Sequence, residues 1–598
     1  MSEHNASRAE IIIRRHIAAV RGQPCLPLPV PDYLGVAENI VRNALPWQAA
    51  DGRIIDPNEK REVSTATARF IGALGLLLQQ GRCLDLVKNC QLALTPALED
   101  LQLNRTNWGE FIVKEALMGY AGVKPCSSPD QIASWEEKFS HYDPECNYSR
   151  CRPENGGGSG NNFVTFAIAG EAGKQFFRLA DNQSFLDRMV ALQLRHFDAN
   201  GMYRDPNCPM TYDLAGRMNL TLARAFGYQG KHQAELDRVL RLGALQQLLY
   251  QSPTGEMPYG GRSNQQNFVE AMFALICEYE AEHYWQQGER ELAGVFKRAA
   301  ALAFKAVRGY VSGRPVFFSK NYFPQDGALI HGREAGYGWY SPYSLLIASQ
   351  FGFAARLAQP DIPQLPTPSE CASYCLELTP DFHRFFASCQ GLQIEIDRNS
   401  QAGYDATGWG RLQHRHCPPL LALSAPLAAE PHYLTTIPAG PDTAIGPVIN
   451  GVSLASRRGE ELRSRIVSRE VMPAQVRFSI AYSCPQFDLQ EDYTLTPAAV
   501  EYQAQSKAGE LLVRVPAIVS DGRQESRLEL TDAGLAVDLA GASYRVSSLT
   551  PGCVWEWEEQ PLPNRNGIYR VCRCRCPGQS IRLRFTLQES RTAGTGAD

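Results

Sequence analysis

The hydrophobic period of this chain changes once, and that change limits the architectures open to it. Up to about residue 358, apolar residues recur every three or four positions, the spacing of one helix face. The segments VSTATARFIGALGLLLQQ (63–80), NNFVTFAIAGEAGKQFFRLA (161–180) and NQQNFVEAMFALICEYEAEHYW (264–285) show it, and further helices are predicted over 182–196, 213–227, 232–250, 290–311 and 342–357. Beyond the proline-rich stretch QPDIPQLPTPSECASYCLELTPDF (359–382), read as a stiff linker, the period becomes two. GLQIEIDRN, LRSRIVSREV, VRFSIAYSC, DLQEDYTLTP, LLVRVPAIV and IRLRFTL all alternate, with Gly, Pro and Asp turns between them. Helices followed by strands, not interleaved with them, exclude a doubly wound sheet.

The expected fold is therefore a multidomain chain, α then β. An N-terminal (α/α) toroid of six or seven hairpins, an incomplete barrel, spans 1–358. An antiparallel β-sandwich spans 383–598. No fixed-period repeat supports a solenoid.

Bulk properties remove several function classes. The 598 residues carry a net charge of −4, with 44% hydrophobic and 20% charged residues. Without a basic excess, nucleic acid is not an expected partner. No stretch reaches the length of a membrane helix, and the opening MSEHNASRAEIIIRRHIAAV does not read as a secretory signal. The 17 cysteines are an odd number scattered along the chain. They are expected as reduced thiols in a cytoplasmic protein. Cys572, Cys574 and Cys576 alternate with arginines and are expected on one buried strand face.

The loops hold the candidate chemistry. Sugar sites need flat rings to stack on sugar faces and fork-like donors for hydroxyls and carboxylates. Six stretches supply both. NRTNWGEFIVKE offers Trp108, either core or stacking platform. ENGGGSGNNF offers Asn161 and Asn162, one of them a helix cap and the other a donor. FDANGMYRDPNCPMTYDLAGR carries Tyr203, Asp205 and Tyr212, with Asp213 as a cap. SPTGEMPYGGRSNQQNF carries Glu256, Arg262, Asn264 and Gln265. HGREAGYGWYSPYSLL packs His331, Arg333, Glu334, Tyr337, Trp339, Tyr340 and Tyr343 into thirteen residues. YDATGWGRLQHRHCPP brings Trp409, Arg411, His414 and His416 from the sandwich. The two histidines, at spacing two on a strand face, are a weak metal pair. No cofactor is required by these residues, although a divalent metal is compatible with them.

A toroid followed by an antiparallel sandwich resembles the polysaccharide lyases of the heparinase and alginate-lyase type. The segments FDANGMYRDP, MTYDLAGR, GEMPYGGRSNQQ and YDATGWGR are similar to the rhamnose–glucuronate lyases of polysaccharide lyase family 27. The resemblance implies β-elimination at a uronic acid, performed by Tyr, His, Asn and Arg. It casts His331 as base and Tyr337 or Tyr340 as acid or partner, with Tyr203 and Tyr212 in reserve. Arg262 and Arg333 would neutralise the carboxylate, assisted by Asn162. Trp108, Glu256, Asn264, Gln265, Glu334, Trp339, Trp409 and Arg411 would contact substrate. The partner is an oligosaccharide, and exposed strand edges leave room for a homodimer.

Two alternatives stay open. A glucuronidase-like inverting hydrolase would need two carboxylates roughly 6.5–9.5 Å apart, from among Asp205, Glu171, Glu256 and Glu334. A non-catalytic glycan-binding protein would keep the aromatic residues without proton-transfer groups.

Overall fold

Apolar helices that also carry small residues can pack side by side, and here six of them close a ring. They are Ala66–Gln79, Gly109–Val123, Phe163–Phe176, Met210–Ala225, Phe268–Gln286 and Tyr340–Leu357. Each packs on the next, and the last returns to the first. The computed structural model describes residues 7–63, 65–102, 109–148, 151, 162–326, 331–334, 338–401, 404–422, 432–433, 445–507 and 509–589, with side chains undescribed at 102, 333, 334, 432 and 433.

Outer helices clothe the ring, among them Tyr33–Ala44, Val87–Gln102, Gln183–Leu194, Gln233–Tyr250 and Arg290–Val311. Inner helices such as Ala66–Gln79 are buried along almost their whole length. An outer helix such as Arg290–Val311 keeps one polar face, as amphipathic surface helices do. Among the described residues, no helix is long and apolar enough to cross a membrane.

Antiparallel strands follow. An eight-stranded sheet runs, in spatial order, 527–531, 534–539, 542–548, 580–589, 499–506, 487–496, 475–484 and 463–472. A second sheet is built on Leu511–Ser520 and Gly567–Arg575. A third has four strands, Ser373–Glu377, Arg384–Cys389, Leu392–Asp397 and Gly408–His414. The first of these lies inside the segment read as linker. Its alternation was hidden by the surrounding prolines and cysteines.

The four-stranded sheet explains how the halves meet. Three of its strands are buried on both faces or nearly so. Phe385, Ile394, Ile396, Trp409 and Leu412 face the sandwich core. The alternate residues Arg384, Glu395, Asp397, Arg411 and Gln413 are also buried, and they meet toroid residues. A strand period of two, reset by a bulge between Trp409 and Arg411, thus sends apolar side chains one way and charged ones the other. Tyr374 donates its hydroxyl to the carbonyl of Leu249 at 2.6 Å, satisfying one of the open carbonyls at the end of helix Gln233–Tyr250.

Cys572, Cys574 and Cys576 do share a buried face. The expectation of uniformly reduced thiols needs one correction, because Cys553 and Cys576 form a disulfide beside the Val554–Arg575 strand pair.

Candidate active site

A cavity of about 460 Å³ sits on the ring axis. All six inner helices reach it, mostly through residues of their first turns: Arg69, Phe111, Phe163 and Phe166, Thr211 and Tyr212, Phe268, and Tyr343. The positive ends of six helix dipoles therefore face one space. Asn162, Arg262, Ser263 and Trp339 complete the rim, and Met218, Met272, Leu346 and Gln350 lie deeper.

Three of the sequence-predicted residues converge here around Asp205. Asn162 ends the loop before helix Phe163–Phe176. Its backbone N–H and its Nδ2 both donate to Asp205 Oδ1, at 2.7 and 3.0 Å. Arg262 forms an ion pair with Asp205 Oδ2 and donates to the Pro206 carbonyl at 2.8 Å. The guanidinium carbon of Arg262 lies 4.4 Å from the centroid of the Tyr212 ring, a cation–π distance. The Tyr212 hydroxyl is 3.3 Å from Ser263 Oγ. Burial holds the Asp205 carboxyl above its usual range, with Arg262 and Asn162 pulling it back down.

The loop carrying Arg262 is shaped by its glycines. Gly260 and Gly261 have positive φ (124° and 75°), and Ser263 and Gln265 are left-handed at 60° and 59°. A Cβ on Gly260 would meet Arg384 Nη2, and one on Gly261 would lie 2.3 Å from Pro209. Only glycine lets the backbone pass between them.

Charged groups of the four-stranded sheet hold this loop from behind. Arg384 pairs with Asp405 at 2.6 Å and Asp397 at 2.7 Å, and lies over the Tyr259 ring at 4.4 Å. Asp405 also accepts the Gly261 N–H at 3.0 Å. Arg411 pairs with Glu256 at 2.5 Å and donates to the Met257 carbonyl at 2.6 Å. Lys320 pairs with Glu270 at 2.6 Å, and Glu270 accepts the Met257 N–H at 2.9 Å.

Several expected contact residues therefore serve the junction between the two halves. Glu256 and Arg411 are spent on each other. Trp409 is fully buried among Tyr493, Tyr502 and Phe585, and its indole N–H donates to the Arg411 carbonyl, so it is core and not a stacking platform. Asn264 donates to the Gly261 carbonyl and accepts from Arg565 through its own carbonyl, while Gln265 accepts from Asn566 at 3.2 Å.

His331 is not brought to the cavity either. Its Nε2 faces the carbonyls of Asn564 and Gly567 at 2.7 and 3.1 Å, which requires the proton on that nitrogen, and its ring stacks on Phe323. Burial lowers its pKa. Tyr203 is fully buried, with its hydroxyl on Gln193. Tyr340 packs beside Trp47 and Phe318 and is not among the residues lining the cavity, and burial pushes its hydroxyl up to about 12. Asp213 is no cap. It lies inside helix Met210–Ala225, buried between Arg217, Gln247 and Tyr250. Trp108, Asn161 and Tyr337 lie outside the described residues, and of Arg333 and Glu334 only the backbone is described, as a two-residue strand. Of the candidate acids, Glu171 is enclosed by Tyr148, Asn182 and Lys174.

His414 and His416 do not share a strand face, because the strand stops at His414 and a turn follows. His414 Nδ1 accepts the His416 N–H at 3.3 Å, and His416 Nε2 accepts from Arg415 at 2.9 Å. Burial, then His416 and Arg415, push His414 down to about 4. Among the described residues, Cys553, Cys574 and Cys576 are the group near enough to hold a metal, and two of the three are in the disulfide.

Tyr343, singled out in HGREAGYGWYSPYSLL, does line the cavity, whereas Arg69, Thr211, Ser263 and Gln350 were missed as cavity residues from the sequence. A lone arginine in ATARFIGALGLLLQ and a lone glutamine in SLLIASQFGFAA were the signal available, since buried polar groups in apolar helices are the informative ones.

No family model matches the chain, and no curated protein matches it by sequence. Solved structures do. The chondroitin AC lyase of Streptomyces coelicolor A3, in complex with chondroitin sulphate, matches with a TM-score of 0.53 and 10% identity, over 98% of this chain and 84% of that one. A Paenibacillus xanthan lyase matches with a TM-score of 0.52 and 10% identity, over 98% of this chain and 60% of that one. At such identity the likeness speaks for the architecture: the chain has the toroid-and-sandwich fold of the (α/α)-toroid polysaccharide lyases.

Proposed function

We propose that this chain is a polysaccharide or oligosaccharide lyase that breaks a glycosidic bond to a uronic acid by β-elimination. The observation that carries the reading is the meeting of Asn162, Tyr212 and Arg262 on one cavity wall, with Asp205 fixing the first and third from behind. Elimination needs the substrate carboxylate neutralised, so that the adjacent C–H becomes acidic. Arg262 supplies the charge and Asn162 the amide donor. A proton must leave that carbon and another must reach the departing oxygen. Tyr212 serves both steps if its hydroxyl, as phenolate, takes the first proton and returns it to the oxygen. Trp339, half-buried at the rim, supplies a face for a sugar ring.

The finer reading, a rhamnose–glucuronate bond, rests on the sequence segments, of which MTYDLAGR carries Tyr212 and GEMPYGGRSNQQ carries Arg262. Against the hydrolase stands the lining itself: no Asp or Glu is among the described residues that line the cavity, whereas two carboxylates are needed. The test is ultraviolet absorbance during incubation with uronate-containing oligosaccharides, rhamnosyl-glucuronate included. Rising absorbance from a double bond conjugated to the carboxylate supports elimination. Sugar release without it sinks the lyase.

A further inference from the structure

The cavity continues below the Asn162–Tyr212–Arg262 wall, and its depth has a different character. Arg69 is 7% exposed, and its Nη1 donates to the Pro342 carbonyl at 2.7 Å. No carboxylate pairs with it among the described residues. Glu115, whose charge acts on it, is committed to Lys114 at 3.3 Å and to Ser349 Oγ at 2.6 Å. The Arg69 guanidinium lies 5.3 Å from the Tyr343 ring centroid. Gln350, fully buried, has neither its Oε1 nor its Nε2 hydrogen-bonded, and Thr211 Oγ1, also buried, has no partner. All three residues line the cavity.

A buried cation without a counter-ion and a buried amide without partners are each costly. Their shared position in a cavity that takes the positive ends of six helices gives both the same remedy, an anionic ligand with hydroxyl groups.

The cavity is also closed underneath. Lys114, fully buried, reaches across the axis, with its ammonium 5.3 Å from the ring of Phe166 on one inner helix and 5.3 Å from that of Phe353 on another. A polymer cannot thread past it, so only a chain end can occupy the depth. The volume suits one or two sugar rings.

We propose that the floor of the axial cavity is a subsite for an anionic terminal sugar, in which Arg69 ion-pairs its carboxylate or sulfate and Gln350 and Thr211 bond its hydroxyls. This rests on the cavity being the sugar site proposed above, but not on the elimination chemistry.

Binding tests it without turnover. Glucuronate, galactose 6-sulfate and glucose are titrated into the full chain by ligand-observed NMR. At least one anionic sugar is expected to bind tenfold or more tightly than glucose, and which one does so identifies the anion. Arg69→Gln is expected to erase that preference. Gln350→Glu, nearly isosteric, adds a like charge and is expected to weaken the anionic sugar at least tenfold more than it weakens glucose. Circular dichroism checks that each variant is folded, and where Arg69→Gln is not, Gln350→Glu decides. Equal binding of glucose, no binding of any of the three, or an unchanged preference in the folded variants overturns the subsite. An Arg69-dependent preference with a silent ultraviolet assay keeps the subsite and sinks the lyase, and the converse result does the opposite.

Discussion

Asp405, a sandwich residue, accepts the backbone N–H of Gly261 at 3.0 Å, one residue before the cavity arginine Arg262. The same carboxylate takes Arg384 at 2.6 Å, so an ion pair between the four-stranded sheet and the loop leading into its last strand positions a loop of the toroid. Asp405→Ala should lower the melting temperature through a loss of about 2–3 kcal/mol, because Arg384 keeps Asp397 but loses a buried partner. Activity measured well below that temperature should fall at least tenfold. Full activity in a destabilised variant would show that the loop needs no such support.

Removing the Tyr212 hydroxyl tests the proton-transfer role directly. Tyr212→Phe keeps the ring under Arg262 and loses only the polar contact near Ser263. Turnover should drop about 10²–10⁴-fold, the range of a lost general acid–base. The melting temperature should move little. A variant with normal turnover would release Tyr212 from the mechanism.

Arg262→Ala should show a stability cost that depends on pH. Burial already raises the Asp205 carboxyl, and without Arg262 it rises further. A carboxyl raised in the folded state adds stability below its unfolded pKa and loses it as pH rises through the folded value. The variant should therefore lie close to wild type near pH 4 and fall behind toward pH 7, by about 3 kcal/mol. Denaturant unfolding at several pH values reads it out, and a pH-independent gap would contradict it.

In the sandwich core, Glu491 accepts from Tyr493 at 3.0 Å and Tyr502 at 2.7 Å, and burial pushes it up to about 7. By the same sign rule, its contribution is present below about 4.5 and gone above about 7. Glu491→Gln should be near neutral at pH 5 and stabilising by about 2 kcal/mol at pH 8. Thermal melts at the two pH values decide, and equal shifts at both would count against a buried, proton-holding carboxyl.

The fold was legible because local periods and global layers agree. The helix predicted over 290–311 is found at Arg290–Val311, and the one over 342–357 at Tyr340–Leu357. Strand Ser373–Glu377 was missed because a five-residue strand next to prolines carries too little alternation. The site was half legible. Asn162, Tyr212, Arg262 and Trp339 stood out as polar or aromatic residues at helix starts, where loops gather. His331, Glu256, Trp409 and Arg411 stood out equally, because a buried junction between two domains selects the same charged and aromatic residues as a sugar cleft. Sequence spacing does not say which side of a strand or loop faces solvent. Arg69 and Gln350 were invisible for the opposite reason: each is one polar residue in a helix whose other positions read as core.

Lys114, lodged between Phe166 and Phe353, gives the axial chamber a single doorway. Whatever leaves must go out the way it came in, so a spent sugar blocks the next arrival until it departs. Such a chamber favours competitive inhibition by its own product, and a turnover rate set by departure more than by bond breaking.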